Sequence, residues 1–346
     1  DRWIPAQRLL GLCHLFAAGF ITLAATRTDY NSLYTLVLLS VMFYMPTIAL
    51  SNSVAYNALE KAGLDTVTHF PPIRVWGTVG FICAMWVVDL GKMGLSATQL
   101  YFSATLGLIL GLYSFTLPNC PINRSGGGKS IVDLLGLRAF ALFKQRKMAI
   151  FFIFSMLLGM SLQITNAFAD GYIKSFGDTG IHGAKYLGTF GVEHSTILIS
   201  LSQISETLCI LLIPFFLKRF GIKRVMLIAM FAWVLRFALL GAGNPGPGVW
   251  MFILSMIVYG VAFDFFNISG SLFVEKETSA AIRSSAQGVF MIMTNGLGAL
   301  IGSYLAGWVV NHYGWPLSWY LFAGFSLVVA IVFAVIFKYK HDPNRI

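Results

Sequence analysis

Charge is what this sequence has least of. Asp, Glu, Lys and Arg make up only 11% of its 346 residues, less than half of the roughly 25% in a soluble domain. Hydrophobic residues make up 57%, and the mean hydropathy is +0.75. The charge-poor stretches run for about 18 to 25 residues, enough to cross a hydrocarbon core of about 30 Å, and most lack the polar face of a soluble core helix. The chain is therefore expected in a bilayer. Cysteine is also scarce: Cys13, Cys83, Cys120 and Cys209 form no CxxC pair, which leaves neither a disulfide framework nor a metal site. The six His are scattered, and no nucleophile stands with a base, so nothing points to an enzyme or a resident cofactor. Asp1 opens no signal peptide.

The net charge of +10 raises nucleic-acid binding, but its distribution argues against it. Roughly 18 of the Lys and Arg fall in alternate inter-helix segments and about four in the others, a positive-inside pattern. No soluble face gathers them.

Ten apolar spans are expected at 9–25, 33–55, 72–90, 98–117, 148–168, 196–217, 225–241, 250–272, 284–310 and 318–337. The polar segment 118–147 holds Arg124, Lys129, Arg138, Lys144, Arg146 and Lys147, and is expected on the cytoplasmic side. Its 131–143 part has apolar residues at helical spacing and should lie along the membrane surface. The loops 218–224 and 275–283 and the tail 338–345 fall on the same side. The expected organisation is thus 1–117 as part of an N-terminal helical bundle, 118–147 as linker, and 148–346 as a C-terminal bundle of six helices with a tail.

Asp1, Arg2 and Arg8 before the first span echo Lys218, Arg219, Lys223 and Arg224 before the seventh. In a transporter of two six-helix bundles, this echo implies two further helices ahead of Asp1. Gly126-Gly127-Gly128-Lys129-Ser130 lacks the earlier glycine and the strand of a phosphate loop. The sequon Asn123-Arg124-Ser125 falls on the wrong side of the membrane for glycosylation.

Ionisable side chains inside a bilayer cost about 2.5–3.5 kcal/mol on insertion scales and usually face a cavity or a partner. Arg74, Glu206, Arg236 and Asp264 are such residues. Arg74, Thr78 and Phe81 form one stripe of the third span; Gln163 and Asn166 repeat an i, i+3 spacing on the fifth, and Gln203 and Glu206 do so on the sixth. On the eighth, Tyr259 and Phe263 stand four apart, with Asp264 next and Asn267 a turn further on. Amides, carboxylates, a guanidinium and rings suit a small solute with a flat ring and many hydrogen-bonding groups, such as a nucleoside; a sugar also fits. Plainer roles stand beside these. The amides can join helices, Tyr259 and Phe263 can be core aromatics, Arg74 can lie near the surface, and Arg236 is expected to approach the outer interface.

The runs Phe70-Pro71-Pro72-Ile73-Arg74-Val75-Trp76-Gly77-Thr78, Leu162-Gln163-Ile164-Thr165-Asn166, Ser202-Gln203-Ile204-Ser205-Glu206-Thr207 and Tyr259-Gly260-Val261-Ala262-Phe263-Asp264-Phe265-Phe266-Asn267 resemble the bacterial nucleoside:proton symporter family. So do Tyr44-Met45-Pro46-Thr47, Ala281-Ile282-Arg283, Ala286-Gln287-Gly288 and Phe337-Lys338-Tyr339-Lys340-His341. The resemblance implies an all-α major facilitator fold, about ten of its twelve transmembrane helices being present, and import of purine and pyrimidine nucleosides with protons by alternating access.

It also implies nucleoside contacts at Arg74, Thr78, Phe81, Gln163, Asn166, Gln203, Glu206, Tyr259 and Phe263, with Glu206, Asp264 and Arg74 in proton coupling. The implied setting is a bacterial inner membrane, with linker and tail cytoplasmic and the proton as coupling ion. No nucleic acid or metal is implied, and the carrier is expected to be a monomer. A sugar or sugar-acid symporter of the same fold, and a membrane sensor or scaffold without transport, stay open as rival readings.

Overall fold

The computed structural model describes residues 4–64, 66–94, 96–120, 137–179, 185–278 and 283–339. The glycine-rich run 126–130, the sequon at 123–125, the 131–136 part of the 131–143 segment and the end of the tail lie outside the described residues. The chain divides into two compact units, Asp1–Gly128 and Lys129–Ile346.

The first unit holds α1 (Ala6–Ala25), α2 (Tyr30–Lys61), α3 (Thr66–Leu90) and α4 (Thr98–Ser114). Helix α1 packs on α2 and α4. Its core is small: Ala6, Leu10, Cys13, Leu50, Val54 and Cys120. Buried polar groups pin it, because in an apolar medium each must find a partner. Gln7 donates to Asn119 Oδ1 at 2.8 Å and accepts from Cys120 N at 2.9 Å, and Ser40 donates to Ala17 O at 2.9 Å. Asp29 caps α2 by accepting from Ser32 N at 2.9 Å. Pro46 removes one N–H from the middle of α2, and the neighbouring Thr47 hydroxyl donates to Tyr44 O at 2.6 Å.

The second unit begins with a 3-10 helix, Leu137–Lys144. Part of the segment expected on the membrane surface is thus described, and it packs on protein: Ala139 and Leu142 are buried in the unit's core. Then follow α5 (Arg146–Ser175), a single turn at Phe190–Glu193, and α6 (Ser195–Ala242). Next come α7 (Val249–Glu277), α8 (Arg283–Met291), a wide π turn at Ile292–Gly298, α9 (Ala299–Tyr313) and α10 (Trp315–Ile336).

Helix α6 has 48 residues and would be about 72 Å long if straight, more than twice a hydrocarbon core. Gly221, at φ 75° and ψ 166°, breaks it in a backbone conformation that a β-carbon disfavours. Ser205 and Arg236, about equally far on either side of Gly221, both meet the 255–260 stretch of α7. The break is therefore a reversal, and α6 is two antiparallel arms packed on α7. The basic loop expected at 218–224 is this single-residue turn.

Aromatic rings fill the core of the unit, among them Phe151, Phe152, Phe252, Phe265, Phe273, Phe290, Trp233 and Trp319. One end gathers the basic groups. Lys147 pairs with Glu277 at 2.5 Å and stands 4.8 Å from the Tyr339 ring, while Lys223 donates to Ala334 O at 3.0 Å near the end of α10. Many large apolar side chains on the outside, such as Leu211, Tyr304 and Val335, are exposed, as lipid-facing residues are. Among the described residues seven helices are long and apolar enough to cross a membrane, and α6 supplies two such spans because it is folded at Gly221.

Candidate functional site

The contact between α6 and α7 sets the centre of the second unit. A β-carbon on Gly260 would stand 2.6 Å from the Ser205 backbone and hydroxyl, so only glycine lets the two helices approach this closely. Ser205 uses the proximity to donate its hydroxyl to Ile257 O, and Ser202 donates to Met256 Sδ at 3.1 Å. These contacts fix the azimuth of α7 and with it the directions of Tyr259, Phe263 and Asp264.

Tyr259 is buried, at 4% exposure. Its ring stacks on Phe263 with centroids 5.8 Å apart and planes at 17°, and meets Trp233 edge-on at 6.0 Å. The Arg236 guanidinium lies 4.7 Å from the Tyr259 ring centroid, a cation–π contact strengthened by exclusion of water. Arg236 also donates to Ser255 O at 2.5 Å.

Sequence placed Arg236 toward the outer interface, and the structure overturns that. Arg236 is 1% exposed, held by the Tyr259 face, the Ser255 carbonyl and the Met256 sulfur, 3.7 Å from both terminal nitrogens. Among the described residues no carboxylate lies within ion-pair distance of it, and its Nε has no partner. Trp233, one turn before Arg236, was not singled out from the sequence; its i, i+3 spacing to a charged residue in an apolar span is the signal that would have found it.

Asp264 lies beside the first arm of α6. It is 3% exposed, and its Oδ2 has no hydrogen-bond partner among the described residues. Glu206 stands close enough for its charge to act on both Asp264 and Tyr259, and Cys209 also feels Asp264. The two carboxylates therefore form one electrostatic pair on facing helices.

One amide reaches the same ring. The Asn166 side chain lies within interaction range of the Tyr259 hydroxyl, which ties α5 to α7. Gln163 and Gln203 are half-buried, and their side chains make no hydrogen bond among the described residues, leaving donors and acceptors free. Beside Phe263 lies a cavity of about 20 Å³, bounded by Leu162, Trp233, Asn267, Thr294 and Asn295, room for a water-sized group. The π turn, which sequence did not indicate, brings Thr294 and Asn295 to it. Gln163, Asn166, Gln203, Glu206, Tyr259, Phe263 and Asp264 thus all fall on the three helices α5 to α7.

The remaining candidates belong to the other unit. Thr78 is half-buried and Phe81 is 53% exposed on α3. Arg74 lies on the same helix, its side chain outside the described residues. Among the described residues no cluster of His, Cys, Asp and Glu has the makings of a metal site.

The family described as "Nucleoside H+ symporter" matches residues 1–342. The nucleoside permease NupG of Escherichia coli (strain K12) is 51% identical over 348 residues, covering 99% of this chain and 82% of that protein. The xanthosine permease of the same organism is 50% identical over 353 residues, covering 100% of this chain and 84% of its own length. A crystal structure of the nucleoside transporter NupG superposes with a TM-score of 0.88 at 51% identity, covering 98% of this chain and 85% of that one. With a match along nearly its whole length, a helical membrane fold and carriers rather than enzymes as its relatives, the chain belongs to the nucleoside H+ symporter family and has the fold of the major facilitator superfamily.

Proposed function

We propose that this chain imports purine and pyrimidine nucleosides together with protons, by alternating access. The observation that carries the reading is the stacked Tyr259–Phe263 pair with the Asn166 amide beside the Tyr259 hydroxyl, on the helices that also carry Gln163 and Gln203. Flat heterocycles stack on such rings, and amides both donate to and accept from base edges and ribose hydroxyls. Gln163, Asn166, Gln203 and Glu206 orient the nucleoside, and Tyr259 and Phe263 pack against it. Arg74, Thr78 and Phe81 on α3 supply contacts from the first unit.

Glu206 and Asp264 share the proton-carrying role, and Arg74 modulates it. Enclosing a neutral carboxyl is less costly than enclosing a carboxylate. The carrier loaded with both nucleoside and proton therefore switches states, while one that holds nucleoside against a charged carboxylate stalls, which ties the nucleoside's crossing to the proton's. The membrane potential, about 2.3 kcal/mol per charge per 100 mV, drives uptake inward. The basic end of the second unit, with Lys147, Lys223 and the start of the tail, lies in the cytoplasm of a bacterial cell with the inner membrane around the helices. The linker forms the join between two bundles at 118–147, and one chain is the working unit.

The test is accumulation of labelled uridine in energised membrane vesicles carrying the full chain. Glu206→Gln or Asp264→Asn abolishes accumulation against a gradient and leaves uridine exchange in place. Accumulation unchanged in both variants removes the carboxylates from coupling, and competition by glucose in place of adenosine removes the nucleoside reading.

A further inference from the structure

Phe263, Asn267 and Ser271 follow one another at i, i+4 and i+8 along α7. They make a stripe of about 12 Å that leads from the aromatic stack toward Glu277 and the basic end. Phe263 and Asn267 bound the small cavity of the site. Asn267 and Ser271 also bound a second, larger pocket of about 310 Å³, walled on its other side by Gln287, Phe290 and Met291. Asn267 is common to both, so the two spaces adjoin.

The larger pocket reaches the lower end of the range for small-molecule sites, roughly 300–1,000 Å³. Its wall is chemically specific. The Asn267 side chain makes no hydrogen bond among the described residues. Gln287 Nε2 donates to Ser271 O at 2.8 Å and Ser271 Oγ donates to Gln287 Oε1 at 3.2 Å. An amide carries two donors and two lone pairs, so Gln287 keeps one N–H and one lone pair in hand even while paired. Phe290 and Met291 add apolar surface. Among the described residues no charged side chain lines the space, which disfavours a phosphate or a metal ion. A neutral, flat heterocycle with hydroxyl and imide edges matches both the apolar and the amide surfaces.

We infer that this pocket is a transit subsite for the nucleoside, occupied after it leaves the Tyr259–Phe263 stack and before it reaches the basic end of the bundle; the inference rests on the function proposed above. Asn267 serves as the step between the two positions, and Gln287 trades its bond with Ser271 for one with the passing base. The solute exchanges hydrogen bonds one at a time instead of losing them all in one move. Gln287 then acts on release and not on binding at rest.

Asn267→Ala and Gln287→Ala in the full chain test this, with uridine as probe. With Gln287→Ala, equilibrium uridine binding in detergent, by titration calorimetry, stays within about twofold of the unaltered chain, while in both variants the maximal rate of uridine exchange in proteoliposomes falls by about three- to tenfold, as expected when release limits turnover. A maximal rate unchanged in both variants overturns the subsite. A Gln287→Ala binding constant that weakens in step with the rate also overturns it, because Gln287 then belongs to the main site. Should Gln287→Ala fail to fold, Gln287→Met, which keeps the bulk, is judged by the same two readings. An unaltered chain that neither binds nor moves uridine sinks the proposed function itself; an active chain with variants of unchanged rate sinks only the subsite.

Discussion

Arg236 and Asp264 sit inside a scaffold of aromatic rings in the second unit, whereas Thr78 and Phe81 stand on α3, a helix most of whose described side chains are exposed. The core of the first unit is a handful of small residues between α1, α2 and residue 120; that of the second runs through the whole bundle. The difference teaches where rigidity comes from. In α6 and α7 each functional side chain is aimed by packing, by the close approach at Gly260 and by hydrogen bonds to backbone carbonyls. In α3 the helical stripe alone sets the direction. Substitutions near the site should therefore damage stability in the second unit and mainly ligand contacts in the first.

The widest separation is expected from paired glycine variants. Gly260→Ala drives a methyl into the Ser205 backbone and should destabilise the detergent-solubilised protein by about 1–3 kcal/mol. Gly77→Ala meets nothing within 4 Å among the described residues and should be neutral, or stabilising by up to about 1 kcal/mol from helix propensity. Thermal melting reads both, and equal shifts would break the contrast.

Next in size is Arg236→Met. It removes the donor to Ser255 O and the cation over Tyr259; a loss of about 1–3 kcal/mol is expected, with uridine binding weakened because Tyr259 loses its support. A melting midpoint and an affinity both unchanged would show that the buried guanidinium contributes nothing.

Phe263→Leu and Phe81→Leu sharpen the comparison. Each should weaken uridine binding by about 0.5–1.5 kcal/mol, roughly two- to twelvefold, but only Phe263→Leu should also lower the melting midpoint. A fall in midpoint for Phe81→Leu alone would reverse the assignment of rigidity.

The smallest effect belongs to Asp29, outside the spans. The hydrogen bonds from Ser32 hold its carboxyl below the usual aspartate range. With its folded-state value depressed, its contribution to the start of α2 is present above the ordinary aspartate value and lost as pH falls through the depressed one. Amide exchange at 30–34 should rise in that acid window and, in Asp29→Ala, be raised at every pH.

The helices were legible because a bilayer forbids charge over long runs, and those runs survive in the sequence whatever their partners. The site residues on α5 to α7 were legible as ionisable and amide groups in places where such groups are costly. Tertiary geometry was less readable. The basic run 218–224 hides that one glycine suffices to turn the chain, since charge reports the membrane side and not loop length. Arg236 lies so near a span end that hydropathy cannot separate a buried position from an interfacial one; only the rings and the Ser255 carbonyl around it decide. The π turn at Ile292–Gly298 leaves no mark in periodicity, because its extra residue shifts a pattern that is apolar on every side. The apolar spacing of 131–143 suits a segment lying along the membrane surface, and in its described part Ala139 and Leu142 turn to the protein core instead.

The most direct test of proton-coupled nucleoside entry is the pH of a weakly buffered, de-energised suspension of vesicles as uridine is added. The account predicts that the medium turns alkaline as protons enter with uridine, and that Asp264→Asn abolishes the signal while exchange of labelled uridine continues. Uridine entering the vesicles with no change in external pH would contradict it.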